Sequence, residues 1–527
     1  MVLGILGLSL ACTGAPPLDL RVSALDAQGQ PAELWVRAGR VVPAGPPDSA
    51  PDAKVWIHGD RFTPGFVDAH GHPEGLGAML GEADLSGCKT RAEALGRLRA
   101  AAEQLKPDAW LLGRGWDQTA WTDDPGAEFP TAAQLDAVIA DRPVVLTRVD
   151  GHALWLNTAA LQRAGMNAQT PDPKGGRILR DADGAPTGVL IDAAMDLIHA
   201  PEPTYAERLE RLRRALDAIA RAGLVGVHAM GVDDTTFAAM EELDRNGELK
   251  VRLWVYATAD GELATRFLGE GPTRRRHLEV VGIKAFADGA LGSRGALLSE
   301  DYSDEPGHRG LELQGVAELS ALAERVLRAG GSFAVHAIGD RGVRNTLDAL
   351  EPVAKLARMP PRIEHAQVID PKDLPRFRAL GVVASMQPTH ATSDSDWAES
   401  RLGPARVRWA YAWRDVLNAG IPLAFGSDFP VEQVSPSYGL WSATTRLTRT
   451  DGSGEPWMPE QILTMDEAID AFTSGPYRAL GRAAPLLNPG DVADVTVWAV
   501  EDHGGHPWWT PIATIVDGEV VWVKSSS

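Results

Sequence analysis

Thr63-Pro64-Gly65-Phe66-Val67-Asp68-Ala69-His70-Gly71-His72-Pro73 carries an apolar strand directly into two imidazoles at i and i+2. Side chains alternate along a strand, so His70 and His72 face the same way. Two neutral imidazoles at a strand end suit a divalent cation such as zinc, which each nitrogen can bind at about 2.0–2.1 Å. Taken alone, the pair reads equally well as incidental loop histidines or as half of a metal site. The rest of the chain separates the two readings.

Downstream, short β-branched runs alternate with Ala/Leu/Arg-rich stretches, which is the pattern of βα units around a parallel sheet. Eight strands are expected: 66–70, 225–230, 251–257, 281–287, 332–338, 362–366, 382–386 and 422–428. Eight is the count of a closed barrel. The connectors YAERLERLRRALDAIARAG, VAELSALAERVLRAGG and GVRNTLDALEPVAKLAR read as helices ending near glycine or a cation. The interval between the first two strands is far too long for one crossover helix. Residues from about 75 to 222 are therefore expected to form an insertion, rich in Gly, Pro and Trp, roofing the barrel mouth. Residues 18–62 and 485–527 read as short alternating strands with an Asp517-Gly518 hairpin signal. Neither end has enough strands to bury its own apolar face, so the two are expected to pair as one small β-sandwich. The expected class is α/β: a (β/α)8 TIM-like barrel over 63–484, the terminal sandwich, and a large insertion after strand 1.

The chain has 527 residues, with 51 Lys and Arg against 71 Asp and Glu for a net charge of −20. No long block of one sign interrupts it, which excludes a nucleic-acid partner. After the N-terminus no stretch approaches the roughly 18 apolar residues of a membrane span. Residues 1–17 open with MVLGILGLSLAC. This run resembles a bacterial lipoprotein signal with Cys12 as the lipidated residue, although no Lys or Arg precedes it and Ser9 stands where such signals have Leu. The expectation is export with lipid attachment to the cell envelope, a cytoplasmic location being the alternative. With Cys12 acylated, Cys88 has no partner and no disulfide framework exists.

Four of the later strands carry a metal-binding residue type at or near their C-terminal ends: Lys284, His336, His365 and Asp428. Barrel strand ends converge on one face, where the active sites of this fold sit. Each residue alone reads as structural, a hydrogen-bonded core histidine or a turn aspartate. Six in register with the strand ends do not. His228 is a further strand-end histidine, and Arg294, on the loop after Lys284, suits a carboxylate or carbonyl. Gln387 and His390 follow the seventh strand. Among the 16 tryptophans, Trp116 and its neighbours in the insertion read either as a pocket lining for an apolar substrate or as core filler.

The segments PGFVDAHGHP, VDGHALWLN, IKAFADGALGSRGA, HAIGDRG, IEHAQ, GSDFPVE and NPGDVADVTVW resemble the amidohydrolase superfamily, in particular its amidohydrolase-3 group with N-substituted formamide deformylase-like enzymes. The resemblance implies two divalent ions, most often zinc. His70, His72 and Asp428 would hold one and His336 and His365 the other. Lys284, its amine carboxylated by carbon dioxide to a carbamate, would bridge them as an anion rather than repel them as an ammonium. It further implies attack by a metal-bridging hydroxide, with Asp428 moving the proton. VDGHALWLN resembles a substrate-facing segment, so His152 joins His228, Arg294 and Trp116 as a substrate-contact candidate; it would donate to an oxyanion or cap a helix beginning near Leu154.

The expected function is hydrolysis of a C–N bond in an amide-like small molecule, an N-acyl, formamide or cyclic amide compound. A homodimer is the candidate assembly. Two alternatives stand beside it: a mononuclear deaminase of the same superfamily, and a lipid-anchored binding protein without catalysis.

Overall fold

The computed structural model describes residues 18–25, 30–45, 52–106, 109–118, 121–123, 129–148, 153–173, 176–192, 194–199, 201–292 and 294–525. Cys12 and His152 lie outside them. The described residues form two compact units, one of residues 1–76 with 212–527 and one of 77–211.

The first unit contains the barrel. Its strands are β1 (Phe66–Gly71), β2 (Leu224–Val232), β3 (Arg252–Ala257), β4 (Leu278–Phe286), β5 (Ser332–Ala337), β6 (Arg362–His365), β7 (Val383–Met386) and β8 (Leu423–Phe425). They pair in parallel and in chain order from β1 to β8. Each is buried on nearly all positions, as expected of strands with a filled barrel inside and helices outside. The outer layer includes Asp234–Arg245, Val316–Arg328, Asp340–Leu350 and Met465–Ala479, whose apolar stripes face inward. The helix Met465–Ala479 starts with a reciprocal cap, Thr464 accepting from the Glu467 N–H while Glu467 accepts from that of Thr464.

The seam between β8 and β1 is closed by a side chain as well as by backbone. The Asp428 N–H donates to the His70 carbonyl at 2.8 Å. Buried Asp68 accepts from the His70 N–H at 2.9 Å, from the Ser427 N–H at 3.1 Å and from the Ser427 hydroxyl at 2.7 Å. The chains approach so closely that a Cβ on Gly426 would stand 2.5 Å from the His70 nitrogen, so only glycine fits.

The chain ends build two four-stranded sheets around a shared core that includes Leu20, Val36, Ile57, Val495, Val497 and Ile515. One contains Leu18–Leu25, Pro31–Arg37, Arg40–Val42 and Ala53–His58; the other joins Arg61–Pro64 to Val495–His503, His506–Val516 and Glu519–Val523. In the first, Leu18–Leu25 and Ala53–His58 run parallel, so that sheet is mixed. Arg61–Pro64 belongs to the C-terminal sheet and leads straight into β1.

The second unit is the insertion, bounded at 77 and 211 rather than at 75 and 222. The boundary falls inside the helix Tyr205–Arg221, whose residues from Leu212 onward bury their apolar side in the first unit. A six-stranded mixed sheet makes up the insertion, with Gly176–Arg180 at one edge and Ala83–Asp84 at the other. Here Trp116 is corrected from substrate contact to core residue. It is 0 % exposed, its indole N–H donates to the Leu146 carbonyl at 2.8 Å, and its ring meets Trp155 at 6.0 Å. The helix expected to begin near Leu154 begins instead at Thr158, capped by Asn157, because Ala153–Leu156 pairs as a strand with Val144–Arg148. Among the described residues no helix is long and apolar enough to cross a membrane.

Candidate metal centre

Alternation on β1 turns Asp68 and His70 toward the barrel interior and carries His72 to its rim. Gly71 between the histidines has no room for a side chain, since a Cβ there would lie 2.5 Å from the Phe429 ring. From the other side of the seam comes Asp428, whose φ of +62° turns its carboxylate back over the strand end. Asp428 Oδ1 stands 3.1 Å from His72 Nε2 and 3.5 Å from His70 Nε2. The candidate donor atoms of these three residues all lie within 4.8 Å of one another, a spacing one divalent ion can span with small adjustments.

The other three expected ligands adjoin this group. Lys284 near the end of β4 brings Nζ to 3.3 Å from His70 Nε2. The His365 ring centroid is 4.8 Å from that of His70 and 4.6 Å from that of His336. His365 leaves β6 with a φ of +68°, which lets its ring join the mouth although Glu364, one residue before, points into the barrel. Six side chains from β1, β4, β5, β6 and the segment after β8 thus meet at one rim.

Partners behind the rings set which nitrogen faces the centre. His70 Nδ1 is 2.6 Å from Glu364, His72 Nδ1 is 3.0 Å from the Met230 carbonyl, and His365 Nδ1 is 2.8 Å from Gln387 Oε1. Each contact leaves Nε2 for the centre, as hydrogen-bonded outer partners do for metal-binding histidines. His336 is the reverse: Nε2 lies 3.4 Å from the Gly289 carbonyl, which leaves Nδ1. Glu364 is held in turn by Arg362, whose Nη2 is 3.0 Å away and also donates to the Ala69 carbonyl at 2.6 Å and to Ser385 at 2.7 Å.

The electrostatics keep these groups in the forms a metal needs. Burial, then the nearby Lys284 charge, lowers His70 to about 4 and His336 to about 3; burial also holds His365 well below its ordinary value. All three are neutral imidazoles at neutral pH. Burial lowers Lys284 to about 8 against the pull of Glu364 and Asp428, so an uncharged, nucleophilic amine is accessible. Its side chain makes no ion pair with a carboxylate among the described residues; Asp288 instead accepts the backbone N–H groups of Leu297, Ile338 and Gly339. The donor set suits a divalent metal: His70, His72 and Asp428 form one group, with Lys284, His336 and His365 beside it.

Two further expectations are corrected. His228 is 0 % exposed inside the barrel, where its Nδ1 lies 2.6 Å from Arg362 Nη1 and its ring packs against Trp254 and Tyr256. It belongs to the layer beneath the ligands and reaches no substrate space. Arg294 directs its guanidinium to Asp304 at 3.0 Å and Glu305 at 3.2 Å, an ion pair within its own loop. His390, by contrast, stacks on His365 with 5.9 Å between centroids and brings Nε2 to 3.9 Å from Asp428 Oδ2. Reading the sequence missed Asp68, Arg362 and Glu364. Their signal was there: charged residues at inward-facing positions of otherwise apolar strands, where burial is costly without partners.

Residues 57–522 match the model of the amidohydrolase family. The chain is 33 % identical over 496 residues to YtcJ of Bacillus subtilis, covering 90 % of this chain and 91 % of that one. It is 28 % identical over 495 residues to the N-substituted formamide deformylase of Arthrobacter pascens, covering 89 % of each. An uncharacterised metal-dependent hydrolase from Pyrococcus horikoshii OT3 superposes with a TM-score of 0.74 at 27 % identity, over 93 % of this chain and 99 % of that one. With the barrel, the ligand cluster and these matches together, the chain belongs to the amidohydrolase family, as a metal-dependent hydrolase acting on carbon–nitrogen bonds.

Proposed function

We propose that the protein hydrolyses the C–N bond of an N-acyl, formamide or cyclic amide small molecule at a centre of two divalent ions, zinc by preference, bridged by carboxylated Lys284. The observation that carries this reading is the lysine. A buried amine 3.3 Å from a neutral imidazole and without a carboxylate partner among the described residues is poorly placed as an ammonium, and well placed as a carbamate anion. The relative named a formamide deformylase supports the substrate class. Divalent ions held by these residues would lower the pKa of a bound water from 15.7 toward about 7 and would polarise the scissile carbonyl.

The chain's own residues do the rest. Asp428 reaches over the first histidine group, so its carboxylate can accept the proton of the attacking water and return it to the departing nitrogen. Glu364 and the Met230 carbonyl hold His70 and His72 in one tautomer each, which keeps the donors aimed before substrate arrives. Phe286, 44 % exposed and 5.2 Å from Lys284 Nζ, offers an apolar wall for a substituent next to the reacting group.

The test is metal content together with turnover. About two ions per chain in the active protein, with turnover of N-substituted formamides or N-acyl compounds lost in Asp428→Asn, are expected. One ion per chain with activity retained in Lys284→Ala would overturn the reading in favour of deamination at a single ion.

A further inference from the structure

β4 ends near Lys284, and its start at Leu278, six residues and so about 20 Å away, opens on a cavity of about 570 Å³. It sits at the opposite end of the barrel from the metal ligands, between the starts of β3 and β4 and the terminal sandwich. Its lining includes Trp254 and Tyr477, whose rings meet edge to face at 5.6 Å.

Charge is what distinguishes this cavity. Six arginines line it against four carboxylates, in a chain whose net charge is −20. Every one of those carboxylates is already engaged. Asp494 takes Arg252 through both oxygens at 2.8 and 3.0 Å, and Asp517 takes Arg252 and, at 2.7 Å, His277. Glu279 pairs with Arg482 at 2.8 Å, and Asp491 accepts the N–H groups of Leu486 and Asn488 at 3.0 and 2.9 Å. Arg275 pairs with Glu241 outside the cavity. Among the described residues this leaves Arg40, which donates to the Gly490 carbonyl at 2.9 Å, together with Arg274 and Arg276, which have no acidic partner. Three exposed guanidiniums thus border one concave space without a carboxylate partner among the described residues, and their planar forks match carboxylate and phosphate oxygens two at a time. The volume lies within the roughly 300–1,000 Å³ of small-molecule sites.

We propose that this cavity binds a small molecule carrying two or more carboxylate or phosphate groups, at a site separate from the metal centre. Calorimetric titration of the full-length protein tests it, with fructose 1,6-bisphosphate as the phosphate probe and tricarballylate as the carboxylate probe. Saturable one-to-one binding of at least one probe is expected at low ionic strength, with a Kd of about 100 µM or tighter. Loss of two charge-assisted contacts in Arg274→Ala/Arg276→Ala should weaken it about tenfold or more. The probe bound more tightly identifies the anion class. Binding should persist in His72→Ala and in a control, Arg221→Ala/Arg328→Ala, that removes the same charge from helices elsewhere. The proposal fails if neither probe binds tighter than about 1 mM, if the arginine pair leaves affinity unchanged, or if the control weakens it equally.

Discussion

The barrel centre and the insertion bury their most distinctive side chains equally deeply, yet for opposite purposes. In the insertion Trp116 and Trp155 are 0 % exposed, and their indole N–H groups are spent on the carbonyls of Leu146 and Thr131. Such residues contribute apolar area and leave nothing to react. In the barrel the buried side chains are an arginine, a glutamate, a lysine and three imidazoles, linked from Arg362 through Glu364 to His70 and Lys284. Taking such groups from water is costly unless they are paired, so here the fold spends stability on an arranged set of donors. Burial of an aromatic residue marks support, and burial of a partnered titratable chain marks chemistry.

The largest effect should come from Lys284→Ala. Turnover is expected to fall about a thousandfold or more, and metal content measured by mass spectrometry to fall with it, while circular dichroism remains native. Normal turnover would overturn the lysine-bridged pair and, with one ion per chain, favour deamination at a single ion. Trp116→Ala is the mirror experiment. It should cost about 3–5 kcal/mol of stability and leave kcat of the remaining folded protein unchanged, as melting curves and rates at low temperature would reveal. A specific loss of kcat with no loss of stability would put Trp116 back among the substrate contacts. Glu364→Gln keeps the shape but weakens the support of His70, so metal affinity in a chelator competition should drop about 10- to 100-fold. Removing the metal with a chelator should lower the melting temperature of the wild type, and zinc should restore it. In Lys284→Ala that shift should be much reduced. Arg294→Ala is expected to change least. An exposed ion pair is worth at most about 1 kcal/mol, and kcat/KM should stay within about twofold; a loss above tenfold would make Arg294 a substrate contact after all.

Much of the barrel was legible because parallel strands buried on both faces write themselves as short apolar runs. All eight expected runs became β1 to β8, most within a residue or two of their expected ends. The ligand candidates were legible for a related reason. A histidine or aspartate closing such a run has few structural uses, and βα geometry sends all strand ends to one face. His228 closes a run in the same way and yet faces Arg362 below the rim, because β2 continues to Val232, past the level at which the ligands gather. Trp116 misled for a different reason: an aromatic residue looks the same in sequence whether it lines a pocket or fills a core.

The sequence alone determined the class of fold, the pairing of the chain ends into one sandwich, and which six residues to look for at the strand ends, since periodicity and strand-end position are local properties. Only the tertiary structure decided which nitrogen each ring presents, that Asp68 ties the first strand to the last, that Arg362 and Glu364 stand behind His70, and that three arginines without an acidic partner among the described residues line a cavity at the far end of the barrel. Those facts depend on contacts between residues often hundreds of positions apart, where burial and distance, rather than residue type, set charge, tautomer and reach.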